Sequence, residues 1–133
     1  MTALDTNVVV RLLTADDPNQ AAAARSLFAS DEIWIAKTVL LETLWVLRSL
    51  YGYEENAIRD AFIKLLGLKN VHIEDEPAVA AALAFTGHGI EFADAIHVSS
   101  RPPGADFVSF DQLFVRRAKR AGVAEVSGVP SKE

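Results

Sequence analysis

The chain has 133 residues, 50% of them hydrophobic, so it can bury a sizeable core, and we predict a single domain over residues 1–133. Its lack of cysteine excludes a disulfide scaffold and thiol chemistry and suits the cytoplasm, and no apolar run is long enough to cross a membrane. The formal net charge of −5 argues against a surface coated with phosphate-binding residues.

Short apolar runs alternate along the chain with longer segments of helical period. The apolar runs predict strands at residues 2–4, 33–36, 71–73, 106–110 and 124–126. The periodic segments predict helices that begin near Asn7, Pro18, Val39, Glu55, Pro77, Glu91 and Gln112. Such alternation is typical of a sheet between helical layers, so we predict a three-layer α/β/α fold with a central, mostly parallel five-stranded sheet.

One of these helical segments, TVLLETLWVLRSL at residues 38–50, is strongly apolar but carries an acid near its start. The helical period places Glu42 in a narrow polar stripe walled by Val46 and Trp45, where we expect its carboxylate to be poorly hydrated. Such an acid needs a compensating partner. The alternative is a capping box, in which Thr38 caps the helix and Glu42 reaches back to it. The residues alone leave both interpretations open.

Other acids stand at positions where parallel sheets bind ligands. Asp5 closes the first predicted strand and Asp111 follows the fourth, and ligands bind at the carboxyl ends of such strands. Each is also a candidate N-cap of the helix that follows it. Asp94 is predicted inside a helix, where aspartate is a poor helix former. The alternative interpretation of Asp94 is an exposed acid on a solvated helix face. The alternative interpretation of Glu91 is an acid in the first turn, where the helix dipole favours it.

One arrangement accounts for four of these acids together, in which strand ends and neighbouring helices bring them to one pocket. The four are Asp5, Glu42, Asp94 and Asp111. Clustered carboxylates repel one another unless a cation offsets their charge. Ligands that are all oxygen prefer hard ions, so we predict Mg²⁺ or Mn²⁺ rather than zinc. The wide spacing of these acids along the chain argues against a calcium-binding loop.

Four segments carry a resemblance to a known family. In order, LDTNVVVRLL, LLETLWVLRSLYG, EFADAIHV and SFDQLF resemble the PIN-domain ribonucleases and, more narrowly, the VapC-type toxins of bacterial toxin–antitoxin pairs. The resemblance runs from residue 3 to about residue 122. It implies a PIN-like fold, endoribonuclease activity with Mg²⁺ or Mn²⁺, a small antitoxin as partner, and a homodimer.

The same resemblance assigns roles to individual residues. It implies that the metal-site carboxylates are Asp5, Glu42, Asp94 and Asp111, with Glu91 as an additional acid. It further implies that Thr6, Asn7 and Ser109 orient those carboxylates by hydrogen bonds. The segment SSRPPGAD departs from the family pattern because it cuts the sixth helix short, so we expect a different approach to Asp111.

The acidic net charge does not exclude an RNA substrate. Of the 18 acidic residues, 14 remain when the four proposed site acids are set aside, against 13 basic ones. Candidate RNA contacts are Arg116 and Lys119, on a basic face of the last predicted helix that also includes Arg117 and Arg120, and Arg11 and Lys37 near strand ends. The alternative for the helix is an ordinary solvated face.

The predicted reaction is hydrolysis of an RNA phosphodiester bond by water that a metal ion activates, without a side-chain nucleophile. None of the three histidines indicates another mechanism. Two alternatives stay open. One is a receiver or phosphatase-like magnesium domain, although the second acid expected after the first strand in the phosphatases is missing from DTN. The other is a PIN-fold module that binds without catalysis, against which the presence of all four acids counts.

Overall fold

The computed structural model describes residues 1–131, and the chain's internal contacts divide it into two compact units. The first unit comprises residues 1–76, and the second begins at Pro77. In the part of the chain that is described, no helix combines the length and the apolar character needed to cross a bilayer. The single domain predicted over residues 1–133 stays a prediction, and its last two residues lie outside the described range.

The first unit contains three strands and four helices. They are β1 (Thr2–Ala3), α1 (Thr6–Thr14), α2 (Pro18–Ser30), β2 (Ile33–Ile35), α3 (Lys37–Ser49), α4 (Glu55–Leu66) and β3 (Val71–Ile73). The strands pair in parallel in the order β1-β2-β3, with Thr2 opposite Ile33 and Trp34 opposite His72. Because parallel strands end at the same edge, Asp5 lies beyond the carboxyl edge of this sheet.

Local sequence explains where the first helices begin. Asp5 and Asp17 are the N-caps of α1 and α2, and each carboxylate accepts a backbone hydrogen bond from the first turn, while Pro18 opens α2. The helices and strands of this unit bury an apolar core. Its fully buried side chains include Val9, Ile33, Ile35, Leu40, Leu47, Ile58 and Phe62. Burial of each large side chain contributes about 1.5–3 kcal/mol.

Up to residue 131, the second unit contains three helices and two strands. They are α5 (Glu76–Thr86), α6 (Phe92–Ser99), β4 (Phe107–Ser109), α7 (Gln112–Arg120) and β5 (Val126–Gly128). The two strands pair in parallel, with Phe107 opposite Val126. The rings of Phe107 and Phe114 pack edge to face at a centroid distance of 5.8 Å, which fixes β4 against α7. The segment after Asp111 is thereby held at the end of β4.

The predicted α/β class, all seven helices and all five strand regions are confirmed. Two details of the prediction were wrong. The fifth strand begins at Val126, two residues late, because Glu125 has a φ of 59°, which no strand residue adopts. Within residues 1–131 the strands hydrogen-bond as sets of three and two instead of one five-stranded sheet. Strands of two or three residues offer few backbone groups for lateral pairing.

Candidate active site

Two of the predicted site acids, Asp5 and Glu42, line one cavity of the first unit with a volume of about 350 Å³. The other lining residues are Thr6, Asn7, Val10, Arg11, Val46, Leu50 and Tyr51. Asp5 comes from the end of β1 and Glu42 from α3, so tertiary packing brings together acids that are far apart in sequence. The cavity contains both carboxylate oxygen ligands and a guanidinium group.

The backbone fixes the carboxylate of Asp5. Its Oδ1 atom accepts a hydrogen bond of 2.7 Å from the backbone N–H of Thr6, so the N-cap alternative is correct. Its Oδ2 atom accepts no hydrogen bond from any residue between 1 and 131, which leaves it available to a ligand. Thr6 therefore orients Asp5 through its backbone amide. Asn7 is exposed and lines the same cavity.

Glu42 does not lie where the sequence analysis placed it. Helix α3 begins at Lys37 with Ala36 as its N-cap and no side-chain cap, so the capping box with Thr38 is wrong. The expected burial is also wrong, because Glu42 is exposed and Trp45 beside it is 60% exposed. Helical period determines which residues share a face, but not how many faces the neighbouring elements cover. Glu42 is thus a hydrated acid at the cavity wall.

Arg11 is held at the rim of this cavity by several partners. Its Nη1 atom donates to the hydroxyl of Tyr51 at 3.0 Å and forms an ion pair of 3.2 Å with Asp16, and its Nε atom donates to Gln20 at 2.7 Å. The hydrogen bonds from Tyr51 and Thr14 to Asp16 hold the pKa of that carboxyl below its usual value. Since Nη2 of Arg11 has no partner within residues 1–131, an ordered donor remains for a phosphate.

Lys37 is engaged differently. Its Nζ atom forms an ion pair of 3.0 Å with Asp75, and its backbone N–H donates to Glu74 at 2.9 Å. Both partners follow β3, so the interactions tie the start of α3 to the carboxyl edge of the sheet. Lys37 lines neither acidic cavity, and its predicted contact with RNA stays a prediction.

The second unit has its own acidic cavity, with a volume of about 110 Å³ and three carboxylates in its wall. The lining residues are Gly89, Ile90, Glu91, Asp94, Asp111, Leu113, Phe114 and Arg117. Helix α6 begins at Phe92 with Glu91 at its N-cap position, so Asp94 lies inside a helix as predicted, in the first turn. An acid in the first turn interacts favourably with the helix dipole.

Two hydrogen bonds determine the orientation of Asp111. Its Oδ1 atom accepts from the backbone N–H of Phe114 at 3.0 Å and caps α7. Its own backbone N–H donates to Oγ of Ser109 at 2.9 Å. Ser109 therefore supports the backbone of Asp111 and does not contact its carboxylate, in contrast to the predicted role. As with Asp5, one carboxylate oxygen serves the helix cap and the other remains for a ligand.

Arg117 is a candidate that the sequence analysis did not select. It lies on the basic face predicted for α7, but Arg116 and Lys119 were chosen, and neither of these lines the cavity. Arg117 lies three residues after Phe114, a cavity residue, and this i, i+3 spacing is the signal that identifies it. Within residues 1–131 its guanidinium forms no ion pair, although three acids line the same cavity. The predicted amphipathic character of α7 is confirmed, with Phe114, Val115 and Ala118 buried.

The sequence pattern of the PIN domain family matches residues 2–120, a range that includes every acid of both cavities. The chain belongs to the PIN domain family. PIN domains are generally nucleases, and they typically use divalent metal ions and bind RNA. No curated protein and no solved structure matches the chain. Membership in the PIN family leaves no support for the receiver or phosphatase-like alternative.

The donors of this PIN domain can be compared with what a divalent ion requires. Within residues 1–131, no three acidic or histidine side chains are grouped closely enough to hold a metal ion by themselves. Mg²⁺ does not need such a cage, because it usually binds one or two carboxylates and completes its octahedron with water and substrate phosphate. The oxygen-only donor sets of both cavities fit Mg²⁺ or Mn²⁺ in this mode.

Proposed function

We propose that this PIN domain is a Mg²⁺- or Mn²⁺-dependent endoribonuclease that acts as the toxin of a toxin–antitoxin pair. The observation that carries the proposal is the family match over residues 2–120 with all four acids, Asp5, Glu42, Asp94 and Asp111, in cavity walls. A module that only binds RNA would gain nothing from four carboxylates, which repel a phosphate backbone.

In this proposal the acids hold the cation and the backbone orients the acids. Asp5 and Glu42 would offer carboxylate oxygens in the cavity of the first unit, and Glu91, Asp94 and Asp111 in the cavity of the second. When bound, the ion would polarise the scissile phosphate and lower the pKa of the attacking water. The helix-cap hydrogen bonds of the two strand-end aspartates reduce the freedom of their carboxylates, so little ordering is needed when a ligand binds.

Basic side chains would hold the RNA backbone. Arg117 lines the cavity of Glu91, Asp94 and Asp111, and its guanidinium would bind an oxygen of the phosphate. Arg11 would do the same beside Asp5 through its free Nη2 atom. The exposed cations of α7 would attract the phosphate backbone over a longer range.

The partners follow from the resemblance to VapC-type toxins. We propose a small antitoxin that neutralises the chain, a homodimer, and a cytoplasmic place of action. Exposed apolar side chains support a protein partner, since Leu50 is 70% exposed and Trp45 lies on the same helical segment. Apolar groups left in water near a functional cavity are typical of surfaces that another protein covers.

Expression of the chain alone in a bacterial host tests the toxin role. We expect growth to stop and a defined set of RNAs to be cut, because no antitoxin would be present to cover the site. The measurement is the mapping of new RNA ends shortly after induction. Unimpaired growth with intact RNA would contradict the proposal, and RNA binding by the purified chain without cleavage would favour the non-catalytic module.

Arg117→Gln should weaken RNA binding by roughly 10-fold and reduce the slope of log K against log salt by about one, because one charged phosphate contact is lost. Fluorescence anisotropy with a labelled RNA over a series of salt concentrations measures both quantities. Arg116→Gln is the matched control, since it removes the same charge from the same helix but not from the cavity. Equal losses in both variants would mean that α7 contributes only general charge.

A further inference from the structure

The hydroxyl group of Tyr51 lies between two charged side chains that are far from it in sequence. Its oxygen accepts a hydrogen bond of 3.0 Å from Nη1 of Arg11, and it donates one of 2.5 Å to Oδ2 of Asp16. Hydrogen bonds to ionised groups are roughly twice as strong as neutral ones. Tyr51 follows α3, whereas Arg11 belongs to α1 and Asp16 to the turn after it. The hydroxyl therefore joins separate elements at one point.

The turn after α1 has an unusual backbone that brings Asp16 back to Arg11. Ala15 has a φ of 53°, in the left-handed region that residues other than glycine rarely adopt. Asp16 then forms an ion pair of 3.2 Å with Arg11 and accepts a hydrogen bond of 2.9 Å from the hydroxyl of Thr14. Strained backbone is concentrated at functional sites and persists where surrounding contacts hold it. The strain at Ala15 therefore points to a requirement for the position of Asp16.

The Arg11 guanidinium uses two of its three nitrogen atoms for contacts within the protein. Nη1 contacts Asp16 and Tyr51, and Nε donates to Oε1 of Gln20 at 2.7 Å. Nη2 has no partner within residues 1–131, and the side chain lines the acidic cavity of the first unit. A free arginine side chain samples many rotamers and loses this freedom when it binds a ligand. The contacts at Nε and Nη1 restrict that freedom before any ligand binds.

We propose that Tyr51 and Asp16 are positioning residues that hold the Arg11 guanidinium, so that its Nη2 atom meets a phosphate oxygen of the RNA backbone. The inference rests on the proposed RNA-cleaving function and adds to it two residues that act through Arg11. Without an orienting role, Asp16 would only weaken phosphate binding, because its negative charge offsets the charge of Arg11. Its presence favours binding if a fixed orientation of the guanidinium outweighs that loss of charge.

Tyr51→Phe tests the proposal because it removes one hydroxyl group and leaves every charge in place. We expect it to weaken binding of a labelled oligoribonucleotide of mixed sequence roughly 3- to 10-fold, measured by fluorescence anisotropy in the presence of a chelator. Tyr53→Phe is the matched control. The ring centroids of the two tyrosines are 5.9 Å apart, and the hydroxyl of Tyr53 has no hydrogen-bond partner within residues 1–131. This control should bind RNA as wild type does.

A double-mutant cycle separates positioning from a general structural role. In the Arg11→Gln background, Tyr51→Phe should cause no further loss of affinity, because the group that the hydroxyl holds is absent. A tyrosine that only stabilised the fold would cause the same loss in both backgrounds. In steady-state cleavage with Mg²⁺, Tyr51→Phe should raise KM with little change in kcat, since the lost contact holds substrate and transition state alike.

Asp16→Ala distinguishes orientation from net charge by the sign of its effect. The substitution removes a negative charge beside Arg11, and Coulomb attraction alone would then strengthen RNA binding. If Asp16 positions Arg11, the affinity should instead fall roughly 3- to 10-fold. Asp60→Ala is the matched control, because it removes the same charge from an exposed position on α4 that lines neither acidic cavity. It should bind RNA at least as tightly as wild type.

Failure of this proposal can be distinguished from failure of the nuclease function. Unchanged affinity and KM in Tyr51→Phe, tighter binding by Asp16→Ala, or equal losses in both backgrounds of the cycle would overturn the positioning role in a chain that still cleaves RNA. A wild-type chain that neither binds nor cleaves RNA would overturn both. Circular dichroism should report the wild-type fold in both Tyr→Phe variants, since each deletes a single oxygen atom.

Discussion

Asp94→Asn should abolish RNA cleavage and the growth arrest that accompanies it, while leaving the fold intact. The substitution removes a negative charge from the cavity of Glu91 and Asp111 and barely changes the side-chain volume. Loss of the carboxylate weakens binding of the cation, and the cation would stabilise the charge that develops in the transition state. We therefore expect roughly a 100-fold or larger fall in cleavage rate. The cost in stability is small, about 0.3–1 kcal/mol for a first-turn acid.

Asp5→Asn and Glu42→Gln should have comparable effects on cleavage. Asp5 caps α1, but asparagine is as good an N-cap as aspartate, so a loss of activity in Asp5→Asn reports on charge and not on folding. Glu42 is exposed and has no capping role, so its substitution is also neutral for the fold. Asp111→Asn retains the cap of α7 in the same way, and we expect a smaller effect because strand-end acids can be partly redundant.

The measurement for this series is the initial rate of cleavage with purified protein, together with colony growth after induction. Asp106→Asn is the matched control, because this exposed acid lies shortly before β4 and lines neither cavity. It should behave as wild type. If the variants of Asp5, Glu42 and Asp94 all fold normally and remain toxic, the assignment of the site acids is wrong.

The second large effect concerns metal removal and the identity of the attacking oxygen. A chelator should stop cleavage completely, and added Mg²⁺ or Mn²⁺ should restore it, because the predicted reaction uses water activated by a metal ion and no side-chain nucleophile. None of the three histidines lines either acidic cavity, and His72 is paired with Glu32 at 2.7 Å. No histidine pair therefore stands ready to activate the 2′-hydroxyl of the RNA, and water should be the nucleophile.

Hydrolysis by water leaves a 5′-phosphate and a 3′-hydroxyl, and the ends of labelled RNA fragments can be identified by enzymatic phosphorylation and ligation. A substrate with one 2′-deoxy nucleotide just before the scissile bond should still be cut, because its 2′-hydroxyl does not attack. The unmodified RNA is the control for rate. Fragments that end in a 2′,3′-cyclic phosphate, or cleavage that survives the chelator, would exclude the proposed mechanism even for an active ribonuclease.

Elements with strong local signals were predictable from the residues alone. Asp17 and Pro18 mark the start of α2 because a carboxylate cap and a fixed φ act within a few residues. Asp5 and Asp111 stood out as strand-end acids for the same local reason, and both cap the helices that follow. The error at the fifth strand also has a local origin, since the left-handed φ of Glu125 is unusual for a glutamate and leaves no sequence signal.

Side-chain environment was harder to predict than element type. The apolar flank around Trp45 suggested burial of Glu42, yet helix α3 is covered along the face of Leu40, Leu44 and Leu47 and open at Trp45. Arg117 and Arg116 are adjacent and chemically identical, and only the position of the cavity distinguishes them. Exposure and cavity walls depend on which elements pack together, which is not encoded within any one helix.

The sequence by itself therefore determined the α/β class, the order of the helices and strands that the structure describes within residues 1–131, the family, and the identities of the candidate acids. Periodicity, caps and motifs are local properties of the chain, and for that reason they can be recognised without the tertiary structure. Only the tertiary structure decided that Asp5 shares a cavity with Glu42, that Arg117 joins Glu91, Asp94 and Asp111, and that Tyr51 contacts both Arg11 and Asp16. Those relations join residues from different elements, and the packing of elements depends on the surface that all of them bury together.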